Sequence, residues 1–336
     1  MKPDVLIEAL RRFGIPAPMV DMIEGIYSER CFSIRDSCGN SSVRPQRAGI
    51  AQGCPLSPYL FILIQTVLLA DVDYRLSLYG PFKDEPAFVV CSDLLYADDT
   101  ILLGNDPHRV QAHLLILIDE GKRYGLELNE SKTLLMQVNH TSRIYHASGE
   151  AIQVVDEAVY LGGLINAKAD ARPELTRRLG EARSIYKKLQ QCWSHANITR
   201  KRKVALYRSI VVPKLMYNLE SLWLNEDGKC RLNAFHVKCL RHICRIAPSY
   251  FPRVPNTEIY KLTDERLLST VLQRQQIKLY CSIAALPESD IVRKLTCEPN
   301  SAYPRVWDGA RKRGRPKQQW APGVYRMAIA MGSFLH

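Results

Sequence analysis

Two adjacent aspartates, Asp98 and Asp99, stand in the stretch "LLYADDTILLG", with apolar residues on both sides. Burying one carboxylate is costly, and two adjacent ones repel each other. A tight acidic turn between two apolar strands keeps such a pair in water or gives it a cation to hold. Magnesium favours hard oxygen ligands. Two such ions side by side activate an attacking hydroxyl and stabilise a leaving pyrophosphate. The plain alternative is an ordinary Asp-Asp turn that keeps a hairpin soluble.

Three further groups accompany the pair. Upstream, "GIAQGCPLSPYLFILI" sets Gln52, Gly53, Pro55 and Ser57 in a polar loop ahead of an apolar run. Such a loop caps a buried helix and presents backbone N–H groups and an amide to a phosphate or a base edge. It also fits a simple turn and helix start, since Ser-Pro is a good N-terminal signal. Downstream come Lys132 in "LNESKT" and the triplet Leu161, Gly162 and Gly163 in "YLGGLI". Taken singly, the lysine reads as solvated and the paired glycines as a bulge.

The elements that must position these groups follow from periodicity and punctuation. Residues 4–13 and 17–30 predict two helices broken by "GIPAP", and 31–50 predict a hairpin. A long buried helix is expected over 58–76. A strand over 87–95, a turn at 96–99 and a strand over 100–104 then carry the aspartates. A helix opens at Asp106-Pro107 and ends at Gly125. Strands are expected near 133–138 and 151–165. From about residue 171 the pattern becomes helical and more basic. The expected fold class is α+β, with a boundary inside "AKADARP", at 168–173.

At 336 residues the chain is long enough for two packed units. Lysine and arginine outnumber acids 46 to 34, which favours a polyanionic partner. The ten cysteines form no CxxC pair and no secreted disulfide pattern. The opening "MKPDVLIEALRRFG" is interrupted by charge, unlike a signal peptide. The longest apolar run, "YLFILIQTVLLADV", is too short to span a bilayer and contains Gln65. The expectation is an intracellular chain, nuclear or cytoplasmic, without a membrane span.

In this order and spacing the groups resemble the palm of reverse transcriptases. "YADD" resembles the family's metal-binding box, "QGCPLSPYLF" the box over the incoming nucleotide and template, "LNESKT" the box whose lysine lies near the pyrophosphate. "YLGGLI" resembles the primer-grip hairpin. "GCPLSPYLF" together with "YADD" is similar to non-LTR, LINE-type retrotransposon enzymes. The resemblance implies an RNA-directed DNA polymerase working by two-metal nucleotidyl transfer. Its partners would be an RNA template, a DNA primer, dNTP and two Mg2+ ions. Asp98 and Asp99 would bind metal, and Lys132 would serve the pyrophosphate. Gln52, Gly53, Pro55, Ser57, Tyr96 and Ala97 would line the nucleotide and template site. Leu161, Gly162 and Gly163 would grip the primer. It further implies a partial palm over 1–168, a helical thumb and connection-like region over 169–300, and a basic tail over 301–336. On the thumb, Lys187, Lys188, Arg200, Lys201, Arg202, Lys203 and Arg208 would meet phosphates. In the tail, Arg313 and Arg315 of "RGRP" resemble an AT-hook core, which lies in a narrow A·T minor groove. The alternative for that tail is a solvated basic linker.

The family's centre uses a third carboxylate on an earlier strand. The opening here resembles the stretch that follows that strand, so the missing aspartate would precede Met1, and the fingers with it. Neither Asp4, a first-turn helix acid, nor Asp21 is placed to substitute. The expectation is an N-terminally truncated domain that is inactive alone. The alternative is a non-catalytic nucleic-acid-binding remnant. Finally, Cys230, His236, Cys239, His242 and Cys244 invite a zinc reading. Their segment has helical periodicity, with no C-x2-C or H-x3-H pair, so the cysteines read as small core residues and the histidines as edge residues.

Overall fold

A proline at its first turn, an acid beside it and two arginines in its last turn start and stop the first helix, α1 (Pro3–Phe13), before Gly14 caps it at φ 92°. The structure, a computed structural model, describes residues 2–28, 30–37, 39–46, 49–50, 53–79, 93–195, 197–247, 254–307 and 319–332. The chain forms two compact units, residues 1–155 and 156–336.

In the first unit α1 is followed by α2 (Ala17–Tyr27), α3 (Ser57–Ser77) and α4 (Pro107–Arg123). Two short ladders lie between α2 and α3: β1 (Cys31–Phe32) pairs with β4 (Arg44–Pro45), and β2 (Arg35–Asp36) with β3 (Gly39–Asn40). This is the hairpin expected over 31–50. Leu60, Ile64, Val67, Leu68 and Val72 of α3 bury against Leu6 and Leu10 of α1, Val20 and Ile23 of α2, and Ile116 of α4. Each buried leucine or isoleucine contributes about 1.5–3 kcal/mol, so this helix cluster is what holds the unit. Arg12 donates to Asp71 at 2.8 Å and to Tyr124 Oη at 2.5 Å, and Tyr124 donates to Asp71 at 2.6 Å, tying three helices at one point. The Asp-Pro start holds: Asp106 accepts from the His108 N–H at 2.9 Å.

The strands depart from expectation. The aspartate hairpin is β5 (Asp93–Tyr96) and β6 (Asp99–Leu102); residues 87–92 of the expected strand lie outside the described residues. The expected strand over 133–138 shortens to β7 (Leu134–Met136). The expected strand over 151–165 is three pieces: β8 (Gln153–Val155), β9 (Glu157–Tyr160) and β10 (Gly163–Asn166). The break is a two-residue reversal at Leu161 and Gly162, both at positive φ (47° and 74°), which suits a tight hairpin. The described strands form two-stranded ladders, antiparallel except for the parallel β7–β8. The class is nevertheless α+β.

Among its described residues the second unit holds the β9–β10 hairpin and eight α-helices: α5 (Arg172–His195), α6 (Arg200–Leu206), α7 (Val212–Met216), α8 (Glu226–Cys244), α9 (Asn256–Thr263), α10 (Leu268–Ala284), α11 (Ile291–Thr296) and α12 (Trp320–Ala330). A π-helical turn, Tyr207–Val211, joins α6 to α7. Leu175, Tyr186, Trp193, Tyr207, Leu215, Leu232, Leu240 and Ile259 lie in one core. No described helix is long and apolar enough to cross a membrane.

Candidate nucleotidyl-transfer and nucleic-acid site

The aspartate pair sits where a two-residue loop forces it. Tyr96 pairs with Asp99 across the ladder, leaving Ala97 and Asp98 as the loop, with Ala97 at φ 53°. Asp99 therefore begins β6 rather than lying in a turn over 96–99. Residues opposed across a ladder share a face, so Asp99 lies on the same face as Tyr96, Leu94 and Ile101. Tyr96, Ala97, Asp98 and Asp99 are all exposed. The flanking strands are half exposed as well: Leu94 is 43% and Leu95 40% accessible, because no third described strand joins the ladder.

The loop is anchored from α3. Gln65 donates its amide Nε2–H to the Ala97 carbonyl at 3.0 Å. The Gly53–Ser57 segment leads into the same helix. Gly53 takes φ 83°, a conformation that favours glycine, and Pro55 is exposed ahead of the helix start. Ser57, largely buried, donates its N–H to the Cys54 carbonyl at 3.1 Å. Hydrogen bonding from the Leu56 N–H holds the Cys54 thiol below its usual range. Ser57 and Gln65 are eight residues apart, about 12 Å along the helix. Gln52 lies outside the described residues. Lys132 closes a short 3-10 turn, Glu130–Lys132, and is exposed.

Two exposed carboxylates from neighbouring residues suit a hard cation but supply only part of a donor set. Asp93 starts β5, roughly 10 Å of strand away from the loop. Its surroundings are different: His113 is almost fully buried, and burial first, with Asp93 and Asp73 opposing, holds its ring below the usual imidazole range. Burial, then Asp93, raises Asp73. Among the described residues no group of three His, Cys, Asp or Glu side chains is placed to hold a metal. That includes the cysteine–histidine segment of α8. Burial pushes the Cys239 thiol up to about 12, the opposite of a metal-bound thiolate. His236 is a correction: it is fully buried, not an edge residue, stacked between Tyr207 and Tyr260 with ring centroids 5.6 and 5.9 Å away.

In the second unit the Leu161–Gly163 loop is clamped by residues that sequence reasoning passed over. Tyr217 donates its hydroxyl to the Leu161 carbonyl at 2.8 Å, Arg177 donates to Gly162 O at 2.6 Å, and Arg178 donates to the same oxygen. Glu174, buried, accepts from the Leu164 N–H at 3.1 Å and from Arg178 at 2.7 Å. A leucine at positive φ is strained, and these bonds are what hold it there. The only sequence signal is the charge density of "PELTRRLGE" within a helical pattern.

The basic residues expected to meet phosphates are exposed at Lys187, Lys188, Arg200, Lys201 and Arg202, and Lys203 is half-buried. Arg208 is engaged: it donates to Glu265 at 2.7 Å and to the Asp264 carbonyl at 3.2 Å. Arg313 and Arg315 lie outside the described residues.

Residues 1–164 match the family model described as reverse transcriptase (RNA-dependent DNA polymerase). A transposon-derived protein of Caenorhabditis elegans is 30% identical over 161 residues, 46% of this chain and 57% of that protein. The retrovirus-related Pol polyprotein from type-1 retrotransposable element R2 of Popillia japonica is 26% identical over 231 residues, 64% of this chain and 30% of that protein. The corresponding polyprotein from type-2 element R2DM of Drosophila melanogaster is 25% identical over 226 residues, 64% of this chain and 20% of that protein. The chain thus spans from about half to a fifth of the length of these relatives.

Proposed function

We propose, from the match of residues 1–164 to the reverse transcriptase family and the likeness to R2 polyproteins, that this chain takes part in RNA-directed DNA synthesis, presenting Asp98 and Asp99 to Mg2+. The observation that carries the reading is the loop geometry: a two-residue reversal, fixed from α3 by Gln65, that displays both carboxylates to solvent. Bound magnesium would neutralise charge on a dNTP triphosphate. The Gly53–Ser57 segment at the head of α3 would lie along the nucleotide and template, and Lys132 near the pyrophosphate. The Leu161–Gly163 loop would hold the primer end, and the exposed cations of α5 and α6 nucleic-acid phosphates.

Phosphoryl transfer depends on fixed metals and in-line placement. With two carboxylates and no described third, the 336-residue chain alone is expected to extend an RNA-templated DNA primer little or not at all. The test is primer extension with Mg2+. Robust extension that Asp98→Ala abolishes would overturn the expectation of inactivity while supporting the metal role. A second reading, a binding remnant without chemistry, draws on the exposed basic α5 and α6. It calls for salt-dependent RNA or DNA binding that Asp98→Ala leaves unchanged.

A further inference from the structure

Where the C-terminal ends of α5 and α8 meet the start of α6, the second unit opens into a cleft of about 180 Å3, lined by Gln190, Trp193, Lys203, His242, Ile243 and Arg245. We propose that this cleft binds one unpaired nucleotide of a single-stranded RNA or DNA, base inward and phosphate on Lys203 and Arg245. The proposal rests on the nucleic-acid reading above but names a site outside the palm motifs.

The chemistry of the lining selects that class of ligand. Trp193 and Ile243, both nearly buried, make an apolar floor. The Lys203 ammonium lies over the Trp193 ring, 5.9 Å from its centroid, so the cation stands directly beside the apolar floor. The Gln190 amide nitrogen stands 3.0 Å from His242 Nδ1 and 3.1 Å from Nε2. An amide and an imidazole side by side make an edge able both to donate and to accept, as a base edge requires. Arg245 is exposed at the α8 terminus, at φ 57°, with its N–H turned back to the His242 carbonyl at 3.1 Å. That bond occupies one of the α8 carbonyls that would otherwise repel an anion.

Among the described lining residues two are cationic and none is a carboxylate. A cationic peptide or a metal ion is therefore disfavoured, and a planar group bearing an anion is favoured. Charge also leads into the cleft. Arg183 and Lys187 stand four residues apart on α5, a turn below Gln190, and Arg200 acts on the Cys244 thiol near the α8 terminus. A single strand laid along α5 would meet these cations before its base entered. Base-paired nucleotides have no free edge or open face to offer, so the site discriminates single strands from duplex.

The experiment measures binding of the full chain to a fluorescently labelled single-stranded RNA 12-mer and to the same sequence as a duplex, across a salt series. Lys203→Ala and Arg245→Ala remove the cations, and both side chains reach solvent, so the fold is checked by circular dichroism alone. The expected result is single-strand affinity weakened roughly tenfold or more by the double substitution, with a salt slope shallower by about one for each cation removed. Duplex affinity should change far less. His242→Ala should weaken single-strand binding without changing the salt slope, the mark of a base contact rather than a phosphate contact. If the unsubstituted chain binds RNA and the substitutions change single-strand and duplex affinity alike, or neither, the cleft proposal falls while the broader reading stands. If the unsubstituted chain binds neither form, both fall together.

Discussion

The side-chain amide of Gln65, in the middle of α3, donates to the main-chain carbonyl of Ala97 at 3.0 Å, and so ties the loop that carries Asp98 to the helix that the Gly53–Ser57 segment leads into. One hydrogen bond thus links the helix that follows Gly53–Ser57 to the loop that carries the aspartate pair. Gln65→Leu should remove it. A partly exposed hydrogen bond contributes about 0.5–1.5 kcal/mol, so the urea midpoint should fall slightly. The sharper readout is hydrogen exchange at the Ala97, Asp98 and Asp99 amides, which should quicken in the variant. Unchanged exchange would mean that the ladder alone fixes the loop.

Gly163 closes the β9–β10 loop against Asn218. A Cβ at this position would collide with Asn218 Nδ2, with Asn218 Cγ at 3.1 Å behind it. Gly163→Ala should therefore destabilise the second unit by about 1–3 kcal/mol through overpacking. Adding Asn218→Ala should recover much of that loss, a coupling that a double-mutant cycle measures directly. Additive losses would rule out the collision.

The aspartate hairpin and the glycine turns are legible in the sequence because their residue types are unusual where they stand. Asp98-Asp99 interrupts an apolar run, and Gly53 and Gly162 do sit at positive φ. The supports were not legible. Gln65 looked like a polar blemish in a buried helix, because nothing local shows that its partner is a carbonyl 32 residues away. Arg177 and Arg178 looked like surface charge, because i, i+3 and i, i+4 acids on an isolated helix read the same whether or not a hairpin covers them. His236 was misplaced for a related reason. Helical periodicity assigns a face by hydrophobicity, and a histidine buried by stacking on two tyrosines follows the face without matching its polarity.

Glu174 and Arg178 form a nearly fully buried ion pair, with side chains 1% and 2% accessible and a contact of 2.7 Å. Removing one member leaves the other charged and buried, which costs about 3–5 kcal/mol. Glu174→Gln should approach that range and should also release the Leu164 N–H. Urea denaturation reads the loss. Exchange at Leu164 should rise with it, since the acceptor is weakened. A change below about 1 kcal/mol would assign the clamp to Tyr217 and Arg177 instead.

His236 makes stability depend on pH in a defined window. Burial lowers its ring to about 4, from an ordinary value of 6.5, while Nδ1 pairs with the Tyr207 hydroxyl at 2.9 Å. Above pH 6.5 the ring is neutral in folded and unfolded chains alike, and stability is at its full value. As pH falls below that point the unfolded chain takes up a proton that the folded chain refuses until about pH 4. Stability should therefore decline across that window, by at most about 3 kcal/mol, and level off below it. Carboxylates such as Asp71, held low by its hydrogen bond from Arg12, add their own loss as pH falls further. The difference between the parent chain and His236→Gln isolates the histidine. That difference should follow the proton uptake between pH 6.5 and 4, and a flat difference would place the proton on another group.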